Sequence, residues 1–376
     1  MNHKIIAVLF FCFTTMLGFS QPITEIVKDV VSKFDEFNQK AEALFKILPV
    51  PIIAYSNEAG SVFGLAKFNL LHLSKKDRVS RPSKLSELVS FSTKGGINAS
   101  VAAELLFQKN KYVILSSINY KKQPEYFFGI GNDISKNSPE KLKYDRLEFT
   151  STGMMRVRKN LYAGISFDIS DYFHIQPDSN SFLIRKQVSG LTGGLCLGIG
   201  VAAAFDSRDN RYNPTNGSYI ISNLLFYSNA LGSNYQFTKF TTDARKYFKP
   251  WLKHVIAMQA TTTSCAGNVP FFELAMMGGD HKMRGYYEGA YRDKVLLDAQ
   301  VEYRLPVWNI FGAAAWLGTG RVANRYTDLS FSGFHLSYGA GIRVRVDSKN
   351  DTNLRLDFGF GPGGLSGTYI NFAEAF

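Results

Sequence analysis

The sequence predicts an all-β protein, a 16-stranded antiparallel transmembrane β-barrel that follows a short amphipathic helix. Three observations support this fold class. Apolar and polar residues alternate along many segments from residue 50 onward. Most of these segments have ten or more residues, the length of a tilted membrane strand and about twice that of an ordinary strand. After the first 20 positions, no apolar run is long enough to form a membrane-spanning helix.

The composition excludes several other classes. The chain of 376 residues contains 31 Phe and 19 Tyr, and so much aromatic surface is typical of a folded protein. The net charge of +12 could indicate a protein that binds nucleic acid. The basic residues, however, alternate with apolar ones instead of clustering, so we expect no nucleic-acid partner. Three cysteines cannot form a disulfide scaffold or a Cys-rich metal site.

Residues 1–20 have the pattern of a signal peptide. Lys4 supplies a positive charge, residues 5–13 form an apolar core, and small residues at 18 and 20 precede an expected cleavage before Gln21. A membrane anchor is the alternative, but the apolar core is too short to span a bilayer. We therefore expect export, and for a predicted transmembrane β-barrel the expected destination is the cell outer membrane of a Gram-negative type.

In residues 21–49 the spacing of apolar residues differs from that in the rest of the chain. Apolar residues recur at spacings of three and four from Ile23 to Leu48, and charged residues occupy the opposite face. This predicts one amphipathic helix that ends at Pro49 and Pro51. Three roles remain open for it: capping or plugging the following domain, lying on a membrane surface, or docking a partner helix.

Residues 50–376 are predicted to form the barrel. The clearest strands are 294–305, 334–347 and 354–360, and each places apolar residues on one face and charged or small residues on the other. We expect the apolar face to contact lipid and the charged face to line the lumen. Long connections at 122–140, 174–190 and 266–291 fall on one side, and most connections on the other side are short. The basic stretch 74–83 is the exception, because it is long on the side of short turns.

The most informative motif lies in the longest late loop. Residues 278–289 read GGDHKMRGYYEG, and further motifs occur at 205–218, 302–306 and 372–376 in the expected order. Together they resemble the bacterial surface antigen family, the BamA/TamA-type outer-membrane assembly and translocation barrels. The motif residues are Gly278, Gly279, Met283, Arg284, Gly285 and Tyr286.

The resemblance implies a sixth external loop that folds into the lumen and places Arg284 against carboxylates. A buried guanidinium needs such a partner, and the lumen-facing candidates are Glu302, Asp298 and Asp357. The family usually supplies an Asp where this chain has Gly318. The resemblance also marks Phe372 and Phe376 as the signal of a terminal strand.

The resemblance implies a function in inserting or translocating proteins, or lipids, at the outer membrane. Its implied partners are outer-membrane lipids and either client outer-membrane proteins or a larger assembly complex. Family members carry POTRA domains before the barrel, and with only 21–49 available we expect a member without them. The alternatives are a passive or small-solute channel and a structural subunit. The six histidines lack metal-ligand spacing, so we expect no enzyme, metal or cofactor.

Overall fold

A computed structural model describes residues 48–56, 60–74, 76–77, 79–122, 124–133, 139–177 and 181–376, with the single positions 32 and 36. Ser32 and Glu36 are helical. The predicted signal peptide and most of the helix predicted over 21–49 lie outside the described residues. Within the described part, no helix is long and apolar enough to cross a membrane.

The described residues form sixteen long strands and three short ones. The barrel strands are β1 (Val50–Ser56), β2 (Gly60–Leu71), β3 (Ser83–Ser92), β4 (Ile97–Phe107), β5 (Tyr112–Lys122), β7 (Glu140–Arg158), β8 (Leu161–Gln176), β9 (Gly194–Asp206), β10 (Gly217–Tyr227), β11 (Phe237–Phe248), β12 (Val255–Gly267), β15 (Val295–Trp308), β16 (Phe311–Ala323), β17 (His335–Asp347), β18 (Thr352–Gly361) and β19 (Leu365–Phe372). The short strands are β6 (Glu125–Phe127), which extends the sheet beside β7, and the ribbon of β13 (Ala275–Met277) and β14 (Tyr291–Asp293). One turn of helix, α1 (Phe182–Arg185), lies between β8 and β9.

Each barrel strand pairs antiparallel with its neighbours in chain order, from β1 to β19. The predicted 16-stranded antiparallel barrel is therefore confirmed. The predicted alternation also holds. On β15, Leu297 and Val301 are exposed on the outer wall, whereas Asp298, Gln300 and Glu302 are buried inside.

The two ends of the barrel differ. Short turns such as 159–160 and 309–310 join strands at one end of the barrel. The first residue of β1 and the last residue of β19 lie at this same end. At the other end lie the long connections 123–139, 177–193 and 268–294. This difference is the asymmetry that the sequence indicated.

The barrel has a seam between its first and last strands. Within the described residues, no ladder joins β19 to β1, although every other neighbouring pair of barrel strands has one. β2 extends past the start of β1 toward the short-turn end. There, Phe68 of β2 stacks on Phe372 of β19 with ring centroids 5.1 Å apart.

The lumen is filled from the long-loop end. The sixth loop (268–294) inserts there, and its Phe271, Phe272 and Leu274 join an apolar cluster with residues of the wall and of the third and fourth loops. That cluster comprises Phe127, Leu142, Tyr144, Tyr172, Leu183, Cys196, Leu225, Tyr227, Phe237, Cys265, Val269, Phe271, Phe272 and Leu274. The long-loop half of the lumen is therefore filled by apolar side chains, and a few buried ion pairs such as Lys239–Glu273 lie among them.

The chain turns into the lumen after β19. Ala373 has a φ of +65°, and the four residues that follow Phe372, here called the tail (373–376), are all buried. The expectation that Phe376 belongs to the terminal strand is wrong, because its ring packs inside with Tyr247 and Ala257. Phe372 is the last residue of β19.

Candidate functional site

The sixth loop is shaped by its glycines. Gly278 and Gly279 have φ values of +105° and +114°, and a side chain on Gly278 would meet the carbonyl oxygen of Tyr287 at 2.6 Å. They follow directly after β13, so the GG pair turns the chain back through the β13–β14 ribbon. This local geometry explains why the motif begins with two glycines.

Gly285 and Gly359 allow the loop to touch the barrel wall backbone to backbone. A Cβ added to Gly359 of β18 would lie 2.6 Å from the Gly285 nitrogen and 2.7 Å from the Arg284 carbonyl carbon. Gly285, at a φ of +109°, in turn faces the backbone of Phe360. The main chain at Arg284 is thereby held directly against β18.

Arg284 lies fully buried between two carboxylates. Its Nη1 is 2.6 Å from Oδ2 of Asp357, and its Nη2 is 2.6 Å from Oε2 of Glu302. The guanidinium carbon lies 3.7 Å from the ring centroid of Trp316, a stacked cation–π contact. One planar fork therefore joins the loop to β15, β16 and β18 at once.

The two carboxylates belong to a larger cluster, here called the lumen ion network. Arg304 donates to Glu302 over 2.7 Å, and Arg343 and Arg355 donate to Asp357 over 2.5 and 2.7 Å. The network consists of Arg284, Glu302, Arg304, Arg343, Arg355, Asp357 and Glu374. Each carboxylate thus faces at least two arginines, and this pairing offsets the cost of burying charge.

Of the three carboxylates predicted for Arg284, the structure brings Glu302 and Asp357 to it. Asp298 lies elsewhere and accepts a 2.8 Å hydrogen bond from Thr261. It shares the lumen face with Glu302 but is four residues away on β15, which is about 13 Å along a strand. Alternation predicts which face of β15 a residue lies on, but not how far along the strand it is from Arg284.

Met283 and Tyr286 hold the loop on either side of Arg284. The Met283 sulfur would be 3.4 Å from a Cβ on Gly318, so the loop packs closely against the wall at this glycine. The Tyr286 hydroxyl donates to the Leu336 carbonyl over 2.7 Å. The Ser337 hydroxyl donates to the Arg284 carbonyl. Hydrogen bonds and packing contacts therefore hold both the side chains and the backbone of residues 284–286.

Glu374 of the tail joins the network from the short-turn end. Its Oε2 accepts from Arg343 over 2.8 Å, and its Oε1 accepts from Asn353 over 2.7 Å. Burial alone would raise the pKa of Glu374, but Arg343 and Arg304 outweigh burial and hold it below the usual range. Next to it, the main-chain oxygen of Phe376 accepts from Arg304 over 2.7 Å. The tail is thus tied to the same cluster as the loop.

Sequence reasoning missed five members of the site. Arg304, Arg343, Arg355, Trp316 and Glu374 were not named as candidates. Arg304, Arg343 and Arg355 lie at lumen-facing positions of predicted strands, so the charged row on each of those strands was the available signal. Trp316 lies on the lumen face of β16 beside alanines and glycines, and no charge marked it. Glu374 gave no such signal, because the inward turn at 373 places it there. Among the described residues, no group of three or more His, Cys, Asp or Glu is arranged to hold a metal ion.

A barrel wall of sixteen strands, an inserted loop and a buried arginine fork define an outer-membrane β-barrel with a plugged lumen. The chain belongs to the Omp85 superfamily, because the Omp85 superfamily domain matches residues 90–369. No curated protein sequence matches the chain.

Solved structures support the same fold. BamA from Haemophilus ducreyi lacking POTRA domains 1–3 aligns with a TM-score of 0.52 at 12% identity, over 91% of this chain and 76% of that one. CdiB from Escherichia coli aligns with a TM-score of 0.52 at 10% identity, over 96% and 72%. CdiB from Acinetobacter baumannii aligns with a TM-score of 0.50 at 12% identity, over 87% of this chain and 59% of that chain.

Proposed function

We propose that this protein assists the insertion or translocation of proteins at the outer membrane, with the seam between β1 and β19 as the site where a client strand pairs. The single observation that carries the proposal is the missing ladder between β19 and β1 among the described residues. Membership of the Omp85 superfamily and the likeness to BamA and CdiB support it.

An unpaired strand edge in lipid favours the addition of a strand. Backbone N–H and C=O groups facing lipid lack water as a partner, so a client strand that pairs with them is stabilised. The Phe68–Phe372 stack crosses the seam at the short-turn end, which we assign to the periplasm because outer-membrane barrels have short periplasmic turns. A stacked aromatic pair contributes about 0.5–1.5 kcal/mol, little enough for a client to displace.

The lumen ion network serves as the rigid support of that seam. Arg284 and Glu374 both tie to residues of β15, β17 and β18, next to the edge strand β19. The loop and the tail therefore hold one side of the seam in place while the edge itself stays unpaired.

Stapling the seam tests the proposal. The variant Phe68→Cys/Phe372→Cys, in a background without native cysteines, is closed with a short bismaleimide and reconstituted in liposomes. The measured quantity is the folding rate of an added client barrel protein. We expect wild-type protein to speed client folding and the stapled variant to lose that effect.

The matched control staples a pair that is already laddered. Val101 of β4 and Ile118 of β5 are directly opposite and exposed on the outer wall. A Val101→Cys/Ile118→Cys staple should leave the rate unchanged. If both staples act alike, or if wild-type protein does not speed client folding, the seam is not the site of assistance.

One observation favours the second candidate, a small-solute channel. The periplasmic half of the lumen contains a cavity of about 790 Å³ lined by charged residues that include Lys84, Glu104 and Arg211. The apolar cluster fills the lumen beyond it. Planar-bilayer recording separates the candidates, since a channel gives steady conductance and a plugged barrel gives a low, flickering current.

A further inference from the structure

The described residues of the connection between β2 and β3 are 72–74, 76–77 and 79–82, here called the rim loop, and they are fastened to the β4–β5 turn. The carboxylate of Asp77 accepts from the Lys109 main-chain nitrogen over 2.8 Å. The Asn110 main-chain nitrogen donates to the Ser80 hydroxyl over 3.1 Å, and the Asn110 side chain accepts from the Arg81 nitrogen over 2.8 Å. These bonds fix the long basic connection that is unusual at the end of short turns.

The β4–β5 turn has an unusual backbone that depends on this docking. Gln108, Lys109 and Asn110 have consecutive φ values of 48°, 59° and 57°, a conformation that side-chain-bearing residues rarely adopt. The rim loop accepts hydrogen bonds from two of the three main-chain nitrogens. Asp77 is fully engaged, and the Ser80 hydroxyl and the Lys109 N–H hold its pKa well below the usual range. The loop and turn therefore form a preformed unit.

A groove of about 1400 Å³ lies between the rim loop and the outer wall of β4, β5, β7 and β8. Its wall side is apolar and includes Phe107, Ile114, Met155 and Ile165. Strand alternation places these residues on the face that contacts lipid, and Met155 and Ile165 are exposed. Gly153 lies in the floor with no atom within 4 Å of where its Cβ would be. The groove is thus open above Gly153.

The rim of this groove is cationic. Lys76 and Lys109 line it, and Lys111 lies beside them with its Nζ 5.3 Å from the Tyr112 ring centroid. Among the described lining residues Asp77 is the single acidic one, and the loop bonds occupy it. Leu73 of the rim loop is exposed and apolar. An apolar floor beneath lysines, at the periplasmic boundary of the membrane, matches a lipid tail below an anionic headgroup.

We propose that the groove binds one anionic phospholipid of the periplasmic leaflet, with an acyl chain over Gly153 and the phosphate between Lys76 and Lys109. Charge complementarity and the position on the lipid-facing wall identify the occupant. The wall side of the groove lies on β4, β5, β7 and β8, at least two strands away from the pair β1 and β2. The proposal rests on the residues of the groove and not on the proposed assembly function.

The test is native mass spectrometry of the delipidated barrel titrated with phosphatidylglycerol or phosphatidylcholine. We expect wild-type protein to retain one phosphatidylglycerol at least tenfold more tightly than phosphatidylcholine. Gly153→Phe fills the floor without a backbone clash and should abolish retention. Lys76→Gln/Lys109→Gln should weaken the binding of phosphatidylglycerol roughly 25-fold, about fivefold for each lysine, and leave the binding of phosphatidylcholine unchanged.

Ala260→Phe is the matched control, since Ala260 lines a second groove of about 690 Å³ on the outer wall. It should retain the lipid as wild-type protein does. Equal retention of both lipids by wild-type protein would make the groove an ordinary lipid contact and overturn the proposal. Full retention by Gly153→Phe, or loss in Ala260→Phe as well, would also overturn it. Resistance of each variant to unfolding in cold detergent shows that the barrel is intact.

Discussion

Replacing Arg284 by Ala should release the sixth loop from the lumen and leave the barrel folded. The variant loses two charge-assisted hydrogen bonds, to Glu302 and Asp357, and the stacking on Trp316. At roughly 1.5–3 kcal/mol for each bond and about 2 kcal/mol for a desolvated cation–π contact, the loss is at least about 5 kcal/mol. The open form of the loop should become more populated by at least about three and a half orders of magnitude, at about 1.36 kcal/mol for each factor of ten.

The wall should survive because neither carboxylate is left alone. Glu302 keeps Arg304, and Asp357 keeps Arg343 and Arg355. A buried pair is most costly to break when the remaining charge has no partner, and here each carboxylate keeps at least one arginine. We therefore expect a local effect on the loop.

Chymotrypsin cleavage at Tyr286 or Tyr287 measures this opening, since cleavage tracks the open population when opening is fast. Wild-type protein should resist, and Arg284→Ala should be cut rapidly. Arg284→Lys should lie between, because one ammonium cannot reproduce the two-armed fork. Arg321→Ala, which removes an arginine that contacts exposed Ser330, is the control without effect.

Two outcomes would refute the reasoning. Unchanged resistance of Arg284→Ala would show that Met283 and Tyr286 hold the loop without the ion pairs. Loss of barrel heat resistance together with loop protection would show that the network supports the wall itself.

Three further predictions concern the loop contact and the tail. Gly359→Ala should expose the loop to protease because its Cβ would meet the Gly285 backbone at 2.6 Å, whereas Gly153→Ala, with open space, should not. Glu374→Gln should make stability less dependent on pH in acid. Because the pKa of Glu374 is lowered by folding, its contribution to the free energy of unfolding is complete above about pH 4.3 and is lost as pH falls through the folded-state pKa. The gap between wild-type and variant melting temperatures should therefore shrink on acidification. Phe376→Ala should lower the free energy of unfolding by about 3–5 kcal/mol, the range for buried Phe→Ala changes, as measured by denaturant titration; a negligible effect would contradict packing of this ring in the lumen.

The wall of the barrel was predictable because it follows a local rule. Alternation assigns each residue on β15, β17 or β18 to lipid or lumen, and that assignment put Glu302 and Asp357 on the lumen face. The rule says nothing about height in the barrel, so Asp298 qualified equally well. The resemblance, and not the periodicity, supplied the inward path of the loop.

The tail was not predictable for a related reason. Phe372 and Phe376 fall on the same face as Ile370 if β19 is extended, so their spacing favours a longer strand, and Glu374 on that face is the one residue that breaks the pattern. Contacts with Arg343, Arg304 and Tyr247, which are distant in sequence, favour the inward turn instead. Tertiary contacts of this kind outweigh the local preference for a strand, and the local sequence pattern does not indicate them.

The inward tail also ties completion of the interior to the placement of β19. Arg304 and Arg343 lie on β15 and β17, whereas Glu374 follows β19. In whatever order the strands form, these two arginines lack one carboxylate until the tail is in place. The lumen ion network is therefore complete only when the edge strand β19 has been placed beside the seam.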